Sequence, residues 1–452
     1  MTHDRIARIR EGLAGTQFEG RAWLVGGVVR DAMLGRKSKG DTDVVVLGDA
    51  QEAVAILWKK GVCESEPVTY PRFGTAMVRV EGRTFEFASA RKESYESDSR
   101  KPRVEPATIE DDAKRRDFTV NALFQDLFTG EVSDPLGTAL ADLKARVLRT
   151  PLDPVETFHD DPLRMLRAVR FRWQLGFKPV EGLYEAIRQE ANRLQVISAE
   201  RIREELEKML RLVDGHECLA DLMDLGLMAE IAPEFCEGVG MEQGPYHDYD
   251  VWDHTVEVVG NADPRDMTLR LAAWFHDIAK PQCRVLHDDG KITFHGHEDE
   301  GAVMAGEVLT RLTFPTRTID DVCLLVRHHM RLLGMQELSR TAARRIWRDM
   351  GDQTERLVAL CEADAEAHSA IAKRLDFDEV RRVLETVAEE TPPNRLGSPL
   401  DGETIMRLTG LSEGKEIGKI KQRLSDLVVE GHLLPDDIES AEKEVKRMAG
   451  NV

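Results

Sequence analysis

The sequence predicts an α+β protein that is mostly α-helical, with one small mixed sheet near the N-terminus. Apolar runs at 23–25 and 43–47 are predicted strands. Residues 68–90 alternate apolar and polar side chains around Gly82, which is typical of a β-hairpin. From Thr150 onward the apolar residues recur with a helical period, and this change predicts helical domains after the sheet.

Length and composition indicate a globular protein of several domains, with 452 residues, 42% hydrophobic and 32% charged. The net charge of −20 argues against indiscriminate nucleic-acid binding through bulk charge and leaves a local basic track open. The charged N-terminus lacks the apolar core of a signal peptide, and no apolar run approaches a membrane span. Six scattered cysteines without CxxC spacing are typical of reduced thiols, so we expect a cytoplasmic protein without a membrane partner.

The chain is organised around the stretch WLVGGVVRDAMLGRKSKGDTDVVV, which spans residues 23–46. Gly26 and Gly27 follow an apolar strand and allow a sharp turn close to a ligand. Val28 begins a predicted helix with Arg30 in its first turns, and such a helix N-terminus suits phosphate.

Two aspartates lie one residue apart where the second strand begins. Asp41 and Asp43 share one face of that strand, because alternate residues point the same way. Neighbouring carboxylates repel each other unless a cation lies between them, and Mg²⁺ accepts oxygen ligands while keeping substrate phosphates and water. The alternative is a solvated turn with two surface aspartates. The upstream Gly-Gly-x-x-Arg-Asp favours a magnesium site.

A polar segment from Arg91 to Arg103 is predicted to be a loop, either simply solvated or flexible beside an active site. The following segment, 109–126, predicts a helix capped by Asp111 or Asp112. Its predicted apolar side comprises Phe118, Ala122 and Leu123, and its predicted polar set comprises Arg115, Arg116, Asp117 and Asn121.

An arginine row marks the predicted helix within DDPLRMLRAVRFRWQLGF. Arg164, Arg167 and Arg170 recur every third residue and stay near one face, with Asp161 one turn earlier on the same side. Arginine rows are commonly solvated faces with acidic partners. This row has no matching row of carboxylates nearby in sequence, which favours a nucleotide or RNA ligand.

A second constellation lies between residues 250 and 370. It comprises His254, the adjacent pair His276-Asp277, the histidines of FHGHEDEG and RHHM, and Asp364. Imidazole and carboxylate together are the usual ligands of catalytic Zn, Ni, Mn or Fe. A Pro/Gly-rich linker at 389–402 then precedes a helical tail.

These motifs, in this order, resemble the class II CCA-adding enzymes and bacterial poly(A) polymerases of the polymerase-β superfamily. The succession is LVGGVVRD, DTD, RRDFTVNAL, DDPLRMLRAVRF and SAERIREEL, and the H…HD…D part resembles the HD phosphohydrolase superfamily. One departure is Asp160, where the family's template motif usually begins with Glu. The resemblance predicts a nucleotidyltransferase head at 1–150, a helical neck at 151–240, an HD domain at 241–385 and a tail at 386–452.

The resemblance implies addition of C, C and A to tRNA from CTP and ATP, with Mg²⁺ as cofactor. In the head it implies that Asp41 and Asp43 are the catalytic Mg²⁺ ligands. It implies phosphate contacts by Gly27 and Arg30 and sugar contacts by Arg116 and Asp117. It also implies that Asp161 and Arg164 read the base, with Arg167 and Arg170 as supporting arginines. In the HD domain it implies metal-dependent phosphohydrolase activity, for example on 2′,3′-cyclic phosphates. The implied metal ligands there are His254, His276, Asp277 and Asp364, with His297 and His328 nearby.

Hydrogen-bond chemistry supports the choice of base. Arginine only donates and an ionised aspartate only accepts, so one such pair matches the acceptor and amino donor of both cytosine and adenine. Guanine and uracil present the reverse order, and each buried mismatch costs about 1–3 kcal/mol.

Several alternatives stay open, as does the oligomeric state. Within the family, the chain could be A-adding, CC-adding or poly(A)-adding. Outside it, the chain could be an HD phosphohydrolase with a degenerate head or a non-catalytic RNA-binding module, although the intact Asp41, Asp43 and Arg116 argue against a degenerate head.

Overall fold

The computed structural model describes most of the chain. The described residues are 2–37, 41–70, 74–94, 103–244, 248–368, 375–390, 392 and 395–449. The described chain divides into two compact units, one of residues 1–205 with 221–231 and the other of 206–220 with 232–452.

Thirteen strands are described, and most of them lie in the first unit. In chain order they are β1 (Ala22–Val25), β2 (Thr42–Val46), β3 (Val68–Tyr70), β4 (Thr75–Val80), β5 (Arg83–Ser89), β6 (Arg91–Ser94), β7 (Arg103–Pro106), β8 (Phe124–Asp126), β9 (Val132–Ser133), β10 (Val147–Leu148), β11 (Lys178–Pro179), β12 (Val285–Leu286) and β13 (Ile292–Thr293).

Seven of these strands form one sheet in the order β3-β4-β5-β2-β1-β8-β9. The β2–β5 pair is parallel and the other pairs are antiparallel, so the predicted mixed sheet is confirmed. Val44 to Val46, Phe85 and Phe87 are almost fully buried and anchor the centre of this sheet. The same pairing places Asp43 opposite Val25 on one side and beside Glu86 on the other.

The helices begin with a series that belongs wholly or partly to the first unit. They are α1 (Thr2–Leu13), α2 (Gly27–Met33), α3 (Ala50–Lys59), α4 (Ile109–Lys114), α5 (Ala139–Ala145), α6 (Pro154–Asp160), α7 (Leu163–Leu175), α8 (Leu183–Glu190), α9 (Ala199–Leu210), α10 (Gly215–Asp224) and α11 (Leu227–Ile231). Gly176, in the left-handed conformation, ends α7.

The remaining helices belong to the second unit. They are α12 (Val251–Asn261), α13 (Met267–Phe275), α14 (Lys280–Cys283), α15 (His297–Arg311), α16 (Thr316–His328), α17 (Arg340–Met350), α18 (Thr354–Glu366), α19 (Phe377–Glu390), α20 (Gly402–Thr409), α21 (Lys415–Glu430) and α22 (Ile438–Ala449). The last three helices share a core that includes Ile405, Leu424 and Val445. In the described part of the chain, no helix combines the length and apolar character needed to span a bilayer.

Two local predictions in the head were wrong. The ends of the segment predicted as a loop from Arg91 to Arg103 pair with each other as strands β6 and β7, while residues 95–102 lie outside the described residues. Helix α4 is capped by Thr108 in a capping box with Asp111, and it ends at Lys114.

The apolar side predicted for that helix therefore belongs to the chain that follows it. The Asp117 carboxylate accepts the Phe118 backbone N–H, and this local bond competes with continuation of the helix. Residues Thr119–Asn121 then form a separate 3₁₀ turn.

Candidate active site and metal centre

The predicted catalytic carboxylates lie where β2 begins. Asp43 occupies the second position of β2 with an exposed side chain, and Asp41 lies exposed just before the strand. Because Val25 pairs with Asp43, the turn after β1 comes directly alongside this carboxylate.

Gly26 forms that turn and lies close to Asp43. It adopts a φ of +72°, which disfavours other residues. A Cβ at Gly26 would lie 3.1 Å from Asp43 Oδ2 and 3.6 Å from Arg116 Nη1. Gly27, which the resemblance assigned to phosphate, is the first residue of α2. The turn thus requires glycine for both its conformation and its proximity to the carboxylate.

Glu86 is a third carboxylate that sequence reasoning missed. It lies beside Asp43 in the parallel β2–β5 register and is exposed, whereas Phe85 and Phe87 are buried. The Phe-Glu-Phe alternation in the hairpin was the available signal, because it places Glu86 on the opposite face from its neighbours.

The electrostatics of Asp43 suit a bound cation. Desolvation by surrounding atoms raises the pKa of the Asp43 carboxyl to about 6; Arg116 opposes the rise, while Glu86 and Asp41 add to it. A divalent cation among these oxygens would relieve their repulsion, and Mg²⁺ is suited to such a donor set.

Arg30 lies buried behind the turn. Its Nε donates to Asp31 Oδ1 at 2.8 Å and its Nη1 donates to Asn121 Oδ1 at 2.7 Å. The guanidinium also lies 5.2 Å from the centre of the Phe171 ring. The structure therefore engages Arg30 in internal contacts, and these contacts favour a positioning role over direct phosphate binding.

Arg115 and Arg116 share one buried partner, Asp112. Asp112 is fully buried and accepts from Arg115 Nε at 2.7 Å and from Arg116 Nη2 at 3.0 Å. Arg116 is thereby held beside Gly26 and Asp43. The sequence suggested Asp112 only as a helix cap, so its function in orienting the arginines was missed.

A chain of hydrogen bonds continues from Asn121 to α7. Asn121 Nδ2 donates to Asp117 Oδ1 at 2.9 Å, and Arg167 Nε donates to Asp117 Oδ2 at 2.8 Å. Burial alone would raise the pKa of Asp117, but Arg167 and Asn121 outweigh it and lower the pKa to about 2. Asp117 is therefore ionised and links the two arginines, Arg30 and Arg167, through Asn121.

The arginine row of α7 does have carboxylate partners, which corrects the prediction from sequence. Arg170 Nε donates to buried Glu205 Oε2 at 2.6 Å, and Arg167 Nη1 lies 3.8 Å from the other Glu205 oxygen. These partners come from α9 and from the segment after α4, so they form no row in the sequence.

Asp161 and Arg164 are brought together more loosely. Arg164 Nε lies 3.9 Å from Asp161 Oδ2, and Arg164 Nη2 donates to the Arg115 carbonyl at 2.5 Å. The Asp161 side chain remains 27% exposed. Both side chains therefore retain polar edges that a base could bind.

The four predicted HD ligands converge in the second unit. His254 Nε2 lies 3.0 Å from Asp364 Oδ1, and His276 Nε2 lies 3.0 Å from Asp277 Oδ2. All four side chains are buried, and His276 Nε2 makes no hydrogen bond within the described part of the chain. Burial would raise the pKa of Asp277, but His276 and Lys280 outweigh it and hold the pKa well below its usual range. This donor set fits a divalent transition metal.

His329, and not the predicted His328, joins His297 at this centre. His297 and His329 are buried and contact each other through their Nε2 atoms at 3.2 Å. Burial and the neighbouring imidazoles lower the pKa of His329 to about 3, which keeps the ring neutral as a metal ligand requires. His328 is half-buried and belongs to none of the candidate metal groups of the described residues. His368, also missed from sequence, lies near Asp364 and His254.

Family models match the same regions of the chain. The poly(A) polymerase head domain matches residues 22–149, a probable RNA-binding and SrmB-binding site of polymerase A matches 176–238, and the HD domain matches 228–368. Fold and site together define a nucleotidyltransferase that carries an HD domain.

Relatives of known name identify the family more closely. An A-adding tRNA nucleotidyltransferase of Deinococcus radiodurans is 35% identical over 71% of this chain and 75% of its own. A CC-adding tRNA nucleotidyltransferase of Thermus thermophilus is 32% identical over 91% of this chain and 90% of its own. The chain belongs to the tRNA nucleotidyltransferase and poly(A) polymerase family.

A solved structure shares the fold. The Bacillus stearothermophilus CCA-adding enzyme in complex with CTP aligns with a TM-score of 0.69, at 21% identity, over 99% of this chain and 98% of that one. The predicted α+β, mostly helical architecture is thus confirmed.

Proposed function

We propose that this nucleotidyltransferase adds C, C and A to the 3′ end of tRNA, using CTP and ATP without a nucleic-acid template. The observation that supports this most directly is the pair of exposed carboxylates where β2 begins, in the same unit as Asp161 and Arg164. The relatives whose names include A-adding and CC-adding activities support the reaction class and leave the nucleotide choice to experiment.

Asp41 and Asp43 are the proposed Mg²⁺ ligands, and Glu86 adds a third carboxylate beside Asp43. Bound Mg²⁺ would supply activation of the RNA 3′-hydroxyl and stabilisation of the departing pyrophosphate. Arg116, held by Asp112 beside Asp43, is placed to contact the nucleotide. Gly27 remains a proposed phosphate contact through its backbone.

Asp161 and Arg164 are the proposed base readers. The Asp161 carboxylate already contacts the Leu163 N–H and Arg201, and its further lone pairs are proposed to accept from an amino group of the base. Arg164 bonds the Arg115 carbonyl through Nη2, and its other N–H groups are proposed to donate to a ring nitrogen. Asp117 is proposed, with Arg116, to contact the nucleotide sugar. Arg167 and Arg170 are proposed to support the nucleotide or RNA end, since their bonds to Asp117 and Glu205 respectively hold this face of α7 in place.

The test supplies the full-length enzyme with three tRNAs, ending before CCA, after C and after CC. Labelled CTP or ATP then reports each addition separately. We expect C on the first two tRNAs and A only on the third, and an unrelated RNA primer serves as the control.

Each other outcome names a different member of the family. Addition of A alone would define an A-adding enzyme, and addition of C without A would define a CC-adding enzyme. Long A tails on the unrelated primer would define a poly(A) polymerase, and no addition at all would indicate a degenerate head.

We also propose that the HD region is a metal-dependent phosphohydrolase that acts on phosphoesters such as 2′,3′-cyclic phosphates. The buried convergence of His254, His276, Asp277 and Asp364 supports this second activity. Isolated carboxylates are expensive to bury, and a metal ion would compensate for two of them in one centre.

The test incubates the enzyme with a tRNA that ends in a 2′,3′-cyclic phosphate and Mn²⁺, Ni²⁺ or Zn²⁺ in turn. We expect release of the cyclic end with at least one metal and none after treatment with a chelator. The Asp364→Asn variant should lose this activity and keep nucleotide addition. Absence of hydrolysis with every metal would indicate that the HD fold is structural here.

A further inference from the structure

The second unit contains an open cavity of about 380 Å³ whose lining includes none of the proposed HD ligands. Three of its lining side chains are arginines from separate segments of the chain, Arg211, Arg265 and Arg356. Two lining side chains are carboxylates, Asp263 and Asp266. Neither nucleotide addition nor the HD chemistry uses these side chains, so this cluster of arginines requires a different explanation.

The two carboxylates of the cavity are each compensated by one of its arginines. Asp263 accepts from Arg265 Nε at 3.0 Å and from Arg265 Nη2 at 2.7 Å. Asp266 Oδ2 accepts from Arg356 Nε at 2.7 Å. Arg211 is exposed and has no such carboxylate partner among the described residues. The lining of the cavity therefore carries one uncompensated positive charge at Arg211.

A fourth arginine lies buried one turn along α13 from the cavity. Arg270 is 1% exposed, and its Nη2 donates to the Val213 carbonyl at 3.4 Å. Its Nε and Nη1 have no hydrogen-bond partner among the described residues. Burial lowers the pKa of Arg270, and the negative charge of Asp263 opposes this change. Four arginines against two aspartates thus leave an excess of two positive charges in and behind the cavity.

The start of α13 adds neutral donors to these charges. Met267 and Thr268 are the first two residues of α13, and both line the cavity. The first backbone N–H groups of a helix have no acceptor within it. The Asp266 cap satisfies the N–H of Leu269, the third residue, and leaves the first two available. Such N–H groups and the positive end of the helix dipole favour an anionic ligand.

The excess charge distinguishes between kinds of anion. A phosphate monoester carries about −1.5 to −2 charges at pH 7 and three strong acceptor oxygens. A phosphodiester of an RNA backbone carries a single negative charge, as a carboxylate does. Guanidinium groups donate in pairs to phosphate oxygens, which suits a cavity lined by arginines. Two uncompensated positive charges therefore match a phosphate dianion better than a singly charged group.

We propose that this cavity binds a dianionic phosphate group, held by Arg211, Arg356 and the N–H groups at the start of α13. The buried Arg270 contributes through its charge. Such a group has two sources, inorganic phosphate and the terminal phosphate of an RNA. The chain as a whole has a net charge of −20 and repels anions, so this cavity is a local exception.

The test measures binding of labelled inorganic phosphate to the full-length protein by equilibrium dialysis, after a chelator has removed metal ions. We expect one phosphate per wild-type chain whose dissociation constant rises about tenfold or more in Arg211→Gln, which loses one charge-assisted contact. Arg317→Gln removes an exposed arginine of α16 in the same unit and is the matched control. It should bind phosphate as the wild type does.

A second variant tests the donors of the helix. Thr268→Glu places a carboxylate in the cavity, and an acidic residue in the first turn of a helix is itself favourable. The variant should therefore fold and lose this phosphate. Thr316→Glu makes the same change in the first turn of α16 and should retain it. Circular dichroism and nucleotide addition by the head establish that each variant is folded.

Competition identifies the source of the phosphate group. Two RNAs of one sequence, one with a 5′-phosphate and one with a 5′-hydroxyl, compete with the labelled phosphate. Displacement by the phosphorylated RNA alone identifies a terminal phosphate as the ligand, and displacement by neither RNA identifies inorganic phosphate. Equal displacement by both would overturn the choice of a dianion, because the backbone would then be sufficient. Unchanged phosphate binding in both Arg211→Gln and Thr268→Glu would overturn the site itself.

Discussion

The acidic groups of the head and of the HD centre occupy opposite environments. Asp43 and Glu86 are exposed on neighbouring interior strands of the sheet, whereas Asp277 and Asp364 are 1% and 3% exposed among the helices of the second unit. Exposed carboxylates are solvated by water until metal ions arrive with a nucleotide. The negative charge of buried carboxylates must instead be compensated within the folded protein. Substitutions of the acidic residues in the head should therefore change the rate of the reaction, whereas those in the HD centre should also change the stability of the protein.

The largest effect is expected at the exposed carboxylates of the head. Asp43→Ala should lower nucleotide addition by about 10³-fold or more, because it removes a metal ligand worth several kcal/mol of transition-state stabilisation. The stability should change by no more than about 0.5 kcal/mol, since the side chain is exposed. Incorporation of labelled CTP and chemical denaturation measure the two effects.

Glu131→Ala, an exposed carboxylate elsewhere in the head, is the control and should leave both quantities unchanged. Equal loss of HD activity in Asp43→Ala would show that the two sites are not separate.

The converse is expected in the buried centre. Asp277→Ala should destabilise the second unit by about 3–5 kcal/mol, because it leaves the buried charge of Lys280 without its carboxylate partner. Nucleotide addition, assayed well below the unfolding temperature, should remain close to that of the wild type. Calorimetry and incorporation assays check these outcomes.

Asp253→Ala removes an exposed aspartate of α12 and is the matched control. If Asp277→Ala were as stable as that control, the difference in burial between the two aspartates would not affect the free energy of unfolding. If it abolished addition, the HD region would not be independent of the head.

A smaller effect is expected where the head chooses its base. Arg164→Ala should reduce discrimination of C and A against U and G by about 10-fold to 100-fold, the equivalent of about 1–3 kcal/mol. Competition between nucleotides on the three tRNAs measures this selectivity. Arg188→Ala, which removes an exposed arginine of α8 in the same unit, is the control. Unchanged selectivity in Arg164→Ala would remove Arg164 as a base reader.

The smallest effect isolates the close approach at the turn. Gly26→Ala and Gly35→Ala both place alanine at a positive φ, near +70°, so each should cost about 1–2 kcal/mol. Only the Gly26 methyl would approach Asp43 Oδ2, at 3.1 Å, whereas Gly35 faces open space. Addition should therefore fall by about tenfold in Gly26→Ala alone. A similar rate in both variants would mean that the proximity of Gly26 to Asp43 is unimportant.

Local patterns were sufficient to predict the head sheet, the glycine turn and the arginine helix, because periodicity and turn chemistry act over a few residues. The partners of the arginines were not predictable in this way. Glu205 lies 35 residues from Arg170, and Asp117 lies 50 residues from Arg167. Such pairs depend on how segments that are distant in the chain pack together, and a single sequence does not show that packing.

The prediction of His328 where His329 enters the centre was wrong for a similar reason. The two residues are adjacent at the end of α16, and successive residues of a helix point about 100° apart. The sequence indicates that a histidine enters the centre, whereas the exact rotation of the helix end decides which one.

The bonds that run from Arg30 through Asn121 and Asp117 to Arg167 have a consequence for accuracy. Each of these four side chains already has a hydrogen-bond partner within the protein. An incoming nucleotide therefore binds to side chains that are already fixed in place, and little conformational entropy is lost when the right base binds. A wrong base would have to displace these side chains, at a cost in free energy. We therefore expect this rigidity to provide the fidelity that a complementary strand provides in other polymerases.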